Sequence, residues 1–106
     1  MVKIEGFNWD HSNTGINWEK HRIANTDAEE VFFNYPRFVY PGKSESSGGK
    51  KRFYLFGKTN TGRRLFVVFT VRGNLLRVIS ARDMSKKERR RYDERIKKNP
   101  EIQKRR

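Results

Sequence analysis

The chain has 106 residues, enough for one domain with one hydrophobic core, and an aromatic content of 13% supplements a low hydrophobic content of 34%. It contains no cysteine, which excludes disulfides, thiolate metal sites and a cysteine nucleophile. It has no apolar run of about 18 residues and no secretion signal, so we expect a cytoplasmic protein without a membrane span.

Positive charge is concentrated in the second half of the chain. Residues 1–49 hold 5 Lys and Arg against 7 Asp and Glu, whereas residues 50–106 hold 20 against 5. Such a charge distribution attracts anions, and nucleic acid is the leading candidate. An acidic protein partner and an anionic membrane surface are the alternatives, although the basic helix predicted after Ser85 has no apolar face for insertion.

The N-terminal region predicts one short strand and two helices. Val2–Phe7 suits a strand, and Asp10 can cap a helix over about residues 11–22. A capping-box pattern at Thr26–Glu29 opens a second helix, which runs to about Asn34 and ends before a proline.

The remainder predicts a sheet and a final helix. The run 65–71 is apolar on both alternations, which indicates a central strand covered on both faces. Turn residues separate three strands that should form an antiparallel meander. The predicted segments are a strand at 37–40, a polar loop at 41–50, strands at about 52–58, 63–71 and 75–82, a helix at about 86–98 and a frayed basic tail at 99–106. Together they indicate an α+β fold with a mostly antiparallel sheet, two N-terminal helices and one basic C-terminal helix, in a single domain over residues 1–98.

Two arginines in the last predicted strand suggest a surface for a polyanion. Tight turns would place Phe69 opposite Arg77 and Arg64 opposite Arg82. Two like charges directly opposed cost stability, so such a pair could exist to hold an anion. The alternative is that both side chains extend into water at the end of the sheet.

Several other side chains could contribute to chemistry. His21 could act as a general acid or base, or it could simply bond the last carbonyls of its helix, whereas His11 lies in a polar stretch and should be exposed. Tyr92 lies four residues after Glu88 on one helix face, either lining a site or as an ordinary structural pair.

The aromatic and metal-binding signals are weaker. Trp9 and Trp18 should anchor the core, with base stacking as the alternative for either. No spacing of histidines or carboxylates predicts a metal site, and no glycine-rich phosphate loop is present.

Two ordered sets of residues match a known family. They are Phe7–Asp10, Asn17, Lys20, His21, Ile23 and Ala28–Phe32, followed by Gly57–Thr59, Gly62–Leu65, Val67, Val68, Arg77–Met84, Glu88 and Tyr92. On these residues the chain resembles the BrnT family of toxins from bacterial type II toxin–antitoxin systems, over roughly residues 4–94. It departs from the family pattern at His11, where proline is common, and at Arg22, where glycine is common.

The resemblance implies a fold, an activity and a partner. The implied fold is a RelE-like ribonuclease domain, and the implied activity is RNA cleavage that arrests translation and growth. The implied partner is a BrnA-type antitoxin with a ribbon-helix-helix domain. We expect a heterotetramer of two toxins and two antitoxins, which contacts operator DNA only through the antitoxin. An antitoxin that covers a basic face should bring acidic side chains.

RNA can be cleaved without a metal or cofactor when a base activates the ribose 2′-OH and cations stabilise the phosphate. The candidates for holding the phosphate are Arg64, Arg77 and Arg82, and the candidate proton carriers are His21, Glu88 and Tyr92. The candidates for binding the flanking RNA backbone are Lys20, Lys58, Lys86, Lys87, Arg89, Arg90 and Arg91. Two other interpretations are a non-catalytic RNA- or DNA-binding module with the same basic face, and a protein that only docks an acidic partner.

Overall fold

The computed structural model describes residues 4–42 and 51–99. Its elements in chain order are β1 (Gly6–Phe7), α1 (Ile16–His21), α2 (Asn25–Glu30), β2 (Phe38–Pro41), β3 (Phe53–Lys58), β4 (Arg64–Arg72), β5 (Leu75–Asp83) and α3 (Lys86–Lys97). The predicted start of the first strand, most of the polar loop and all but the first residue of the predicted tail lie outside the described residues.

The five strands form one mixed sheet in the order β1-β5-β4-β3-β2. Strands β2 to β5 are antiparallel, and their bounds lie within about one residue of the predicted ones. The sheet is mixed rather than purely antiparallel because β1 runs parallel to β5, with Gly6 opposite Leu75 and Phe7 opposite Leu76. The α+β class is thus confirmed, and the two short helices lie between β1 and β2.

The predicted register between β4 and β5 is wrong. Arg82 lies opposite Phe66 rather than Arg64, and Arg77 lies opposite Thr70 rather than Phe69. One step of the shift comes from the two-residue turn, since Arg72 pairs with Leu75 and the turn contains Gly73 at a φ of 57°. The second step is a bulge between Val68 and Phe69, which leaves Ile79 of β5 as an extra residue.

The helices α1 and α2 cover one face of the sheet. Leu55, Leu65 and Val67 on this face are fully buried, and Ile23 and Val31 from the helical region are buried with them. Asn17 and Asn13 also hydrogen-bond backbone groups of β5 beyond the short stretch that pairs with β1. The backbone N–H of Ala81 donates to Asn17 Oδ1 (2.9 Å), and Asn13 Nδ2 donates to the carbonyl of Val78 (3.0 Å).

Both N-terminal helices are shorter than predicted. Gly15, with a φ of 79°, precedes α1. The Asp10 carboxylate does not cap a helix, because it accepts from the backbone and hydroxyl of Ser12 in its own loop and from Arg77 of β5. Ala24 precedes α2, and its N–H donates to Asp27 (3.1 Å). The prediction that Trp18 anchors the core is wrong, since Trp18 is 49% exposed.

The basic helix α3 covers part of the second face of the sheet. The predicted capping box is confirmed, because Ser85 Oγ accepts from the N–H of Glu88 and the Glu88 carboxylate accepts from the N–H of Ser85. Tyr92 packs there with Phe38 and Met84 in a second core. No helix among residues 4–42 and 51–99 is long and apolar enough to cross a membrane.

Candidate nucleic-acid interface and cleavage site

The second face of the sheet carries aromatic side chains that α3 leaves partly open. The strand register aligns Phe38, Phe56 and Phe66 with Arg82 in one row across the sheet. Because successive side chains alternate between faces, Tyr40 and Tyr54 form the adjacent row. The rings of Phe56, Phe66 and both tyrosines keep part of their surface exposed. Central strand β4 therefore buries Leu65, Val67 and Phe69 on the helical face and leaves Phe66 and Val68 half-buried on this one.

Arg82 closes the row of rings beneath α3. Its guanidinium lies 4.4 Å from the centroid of Phe66 and donates to both oxygens of Glu88 at 2.8 and 3.0 Å. These hydrogen bonds raise the pKa of Arg82 and lower the pKa of Glu88. Glu88 is therefore ionised and hydrogen-bonded, which weakens it as a base and suits it to orienting Arg82.

Arg77 is held by the N-terminal loop at the other end of β5. Its side chain is 10% exposed. It donates to Asn8 Oδ1 (2.6 Å), to both oxygens of Asp10 (2.9 and 3.0 Å) and to Ser12 Oγ. The hydrogen bond from Arg77 holds the pKa of the Asp10 carboxyl well below its usual range. This arrangement ties the loop to the sheet.

Tyr92 is also enclosed by structural contacts. It is 4% exposed, its ring meets Phe38 edge-on, and its hydroxyl donates to the carbonyl of Pro36. Burial raises the pKa of its phenol to about 12. The hydroxyl is therefore protonated at neutral pH and already engaged in a bond.

A polar cluster lies where β4 begins and β5 ends. Arg63 donates to both oxygens of Asp83 (2.6 and 2.9 Å) and to the carbonyls of His21 (2.9 Å) and Arg22 (2.8 Å). The hydrogen bond from Arg63 lowers the pKa of Asp83, and the charges of His21 and Arg89 contribute in the same direction. Arg63 therefore links Asp83 to the C-terminal end of α1, on the sheet face opposite Arg82.

An open cavity of about 440 Å³ adjoins this polar cluster. Its lining residues are Gly62, Arg63, Arg64, Asp83, Met84 and Arg89. Arg64 donates to Asp93 of α3 (3.0 Å) from a side chain that is 37% exposed. We call His21, Arg63, Arg64, Asp83 and Arg89 the sheet-end cluster. It combines an imidazole with a carboxylate and three guanidinium groups.

The sequence analysis missed Arg63 and Asp83 in this cluster. Both flank residues that it selected, Arg64 and Arg82. A signal for them was present, since an antiparallel hairpin brings the first residue of one strand beside the last residue of the next. Their ion pair could have been predicted from that rule.

The backbone-binding candidates are distributed over three elements. Lys58 lies opposite Arg64 in the sheet, and Lys20 is exposed on α1. The remaining five are exposed on the first two turns of α3: Lys86, Lys87, Arg89, Arg90 and Arg91.

Arg22 stands where glycine is common in the family pattern, and it adopts a backbone conformation typical of glycine. It ends α1 in the left-handed conformation, with a φ of 56°, which favours glycine. Its guanidinium lies 5.4 Å from the centroid of the Trp18 ring. The chain thus retains the backbone turn that glycine would supply, and this turn directs the His21 and Arg22 carbonyls to Arg63.

In the described part of the chain, no group of three or more His, Cys, Asp or Glu side chains is placed to hold a metal ion. Among curated proteins, none matches this sequence. A family model described as the ribonuclease toxin, BrnT, of type II toxin–antitoxin systems matches residues 9–88, which include the whole sheet-end cluster except Arg89. The chain therefore belongs to the BrnT family of ribonuclease toxins, with RNA as the class of target and an antitoxin as partner.

Proposed function

We propose that this protein is an active endoribonuclease that cleaves RNA in the cytoplasm without a metal ion, at the sheet-end cluster. The observation that carries the proposal is that Asp83 and three arginines line one cavity, and that Arg63 of this set hydrogen-bonds the backbone carbonyl of His21. These residues come from the end of α1, from the open end of the β4–β5 hairpin, where β4 begins and β5 ends, and from α3. The family supports ribonuclease activity, and the cluster offers the groups that the reaction needs.

The proposed reaction uses the RNA ribose as its nucleophile. A base removes the proton of a 2′-OH, and the oxygen attacks the adjacent phosphorus. The bond from phosphorus to the 5′ oxygen breaks, and that oxygen takes up a proton. The products are a 2′,3′-cyclic phosphate and a 5′-OH. Histidine side chains exchange protons near neutral pH, so His21 is the proposed proton carrier.

The arginines divide into those that bind phosphate and those that position other groups. Arg64 and Arg89 line the cavity and would stabilise the charge that develops on the phosphate. Arg63 is a positioning residue, because its four hydrogen bonds connect the end of α1 to Asp83. Arg82 would contact the flanking phosphate, with Glu88 orienting it.

Two of the six predicted catalytic residues have structural roles in this proposal. Arg77 is bound to the N-terminal loop, and the Tyr92 hydroxyl is bonded to Pro36. The RNA backbone on either side of the cleaved phosphate would contact Lys20, Lys58, Lys86, Lys87, Arg90 and Arg91, which are wholly or partly exposed.

Cleavage by variants of the two histidines tests the proposal. We expect His21→Gln to lower the rate of RNA cleavage at least about a hundredfold, the usual contribution of a proton carrier. His11→Gln is the matched control, since both histidines are exposed and only His21 belongs to the cluster. The assay follows new RNA 5′ ends and growth arrest after induction, and purified protein is assayed with and without EDTA.

The outcomes separate an enzyme from a binding module. Equal cleavage by both histidine variants would remove His21 from the mechanism. Loss of activity in EDTA would contradict a metal-independent reaction. If the wild type binds RNA without cleaving it, the protein is a non-catalytic binding module.

We further propose that the antitoxin is of the BrnA type, with a ribbon-helix-helix domain, and that two toxins and two antitoxins form one complex. The proposal is supported by the positive charge of the second half of the chain, which an acidic partner would complement. DNA contact would then come only from the antitoxin. The mass of the co-purified complex tests this stoichiometry, and a one-to-one complex would contradict it.

A further inference from the structure

A second cavity lies on the other side of α3, between that helix and the β2–β3 part of the sheet. It measures about 360 Å³, within the range of about 300–1,000 Å³ typical of small-molecule sites. We call it the aromatic groove, and its lining residues are Phe38, Tyr40, Phe56, Glu88, Arg91, Tyr92 and Arg95. Only two of these residues have a part in the proposed cleavage: Glu88 orients Arg82, and Arg91 binds the RNA backbone.

The aromatic rings of the groove are fixed by contacts with one another. Tyr40 meets Phe56 edge-on at 5.8 Å between centroids, and Phe56 lies 4.9 Å from Phe66. Tyr40 is nevertheless 40% exposed on edge strand β2, so a ligand can reach its ring. Rings held in place lose little conformational freedom when a ligand stacks on them, so this platform suits a flat aromatic ligand.

Arginines supply positive charge beside the rings. Arg95 places its guanidinium 4.1 Å from the centroid of Phe38 and 5.7 Å from that of Tyr40, and it also donates to the Tyr40 hydroxyl. Neither Arg95 nor Arg91 forms a salt bridge with a carboxylate in the described residues. Exposed rings beside unneutralised guanidinium groups are the combination that binds single-stranded nucleic acid, by base stacking and by charge.

We propose that the aromatic groove binds one unpaired base of the RNA substrate, stacked on the ring of Tyr40 and flanked by the edge-on ring of Phe56. This inference rests on RNA being the substrate, and it adds that the RNA is single-stranded where it is bound. A base in a duplex is already stacked and paired, so it cannot enter the groove. The groove therefore selects single-stranded RNA, while the cations of α3 contact the phosphates on either side.

Binding to RNA that cannot be cleaved tests the groove separately from catalysis. The probe is a labelled single-stranded 2′-O-methyl RNA of mixed sequence, which lacks the 2′-OH nucleophile, compared with the same strand in a duplex. We expect Tyr40→Ala to weaken binding of the single strand about tenfold, as for loss of one stacked base, and to leave duplex binding unchanged. Tyr40→Phe should retain the single-strand affinity within about twofold because the ring remains.

Two further variants keep the test decisive. Tyr35→Ala removes another exposed tyrosine outside the groove and should leave binding of both RNAs unchanged. Tyr40→Leu retains apolar bulk on β2 without a ring, and it replaces the alanine variant if that protein does not fold. Leucine at position 40 should weaken single-strand binding about as much as alanine.

Three results would overturn the inference. They are wild-type affinity in Tyr40→Ala or Tyr40→Leu, equal weakening for single strand and duplex, and loss of antitoxin binding with RNA binding intact. The last result would identify the groove as a peptide site. If Tyr40 variants lose single-strand binding but the wild type never cleaves RNA, the base site stands and the proposed cleavage activity falls.

Discussion

Arg77 and Arg82 come from the same strand and the same sheet face, yet their environments give them different roles. Arg82 stays 40% exposed beside Glu88, whereas Arg77 is enclosed by the loop that contains Asn8, Asp10 and Ser12. The sequence analysis gave both the same predicted role, that of holding the phosphate. It could not predict the enclosure of Arg77, because nothing local indicates that Asp10 folds against a residue 67 positions away.

The Arg77–Asp10 contact predicts an acid-dependent loss of stability. The pKa of Asp10 in the folded protein lies below its unfolded value of about 3.9. Between these two pKa values the folded protein therefore binds fewer protons than the unfolded chain does. The contribution is fully present above about pH 4 and is lost as the pH falls below it. In Asp10→Asn, the free energy of unfolding should therefore decline less between about pH 5 and pH 2 than in the wild type.

Urea unfolding at a series of pH values measures this difference. Glu94→Gln is the control, because Glu94 is exposed on α3 and forms no salt bridge in the described residues. A decline as steep in Asp10→Asn as in the wild type would show that Arg77 does not stabilise the Asp10 carboxylate.

At the scale of the elements, local patterns predicted more than long-range ones. The bounds of β3, β4 and β5 followed from apolar alternation and turn residues, and the start of α3 followed from its capping box. The predicted β4–β5 register was wrong for two reasons. The turn holds two residues, which moves Arg77 opposite Thr70, and the extra residue Ile79, which has no sequence signal of its own, completes the shift that places Arg82 opposite Phe66. The parallel pairing of β1 with β5 could not be predicted from the sequence either, since Gly6 and its partner Leu75 are distant in the chain.

The docking of α3 on the sheet predicts a structural role for Tyr92. Tyr92→Phe removes the hydrogen bond to the Pro36 carbonyl but retains the ring contact with Phe38. We expect the variant to lose about 1 kcal/mol in the free energy of unfolding and to retain wild-type cleavage below its melting temperature. A large loss of cleavage rate with unchanged stability would instead place the hydroxyl in the reaction.

At the scale of the molecule, the fold gathers basic residues around the two cavities beside α3. This helix carries seven Lys and Arg against three Asp and Glu. It contributes lining residues both to the open cavity beside the sheet-end cluster and to the aromatic groove. The charge asymmetry of the sequence predicted a polyanion-binding surface. It did not predict the division of that surface by α3 into a cavity at the sheet-end cluster and the aromatic groove. That division depends on the second core of Phe38, Met84 and Tyr92, which positions α3 across the sheet.

The salt dependence of RNA binding distinguishes a localised interface from a diffuse basic surface. Each phosphate contact with a single strand contributes about −0.7 to the slope of log affinity against log salt concentration. Arg91→Gln removes a cation from the wall of the groove, and Arg72→Gln removes one from the β4–β5 turn at the other end of the sheet. With a localised interface, only Arg91→Gln should make the slope shallower, by about 0.7. Equal changes in both variants would mean that the whole basic half of the chain attracts RNA without a defined path, because distance from α3 would then make no difference.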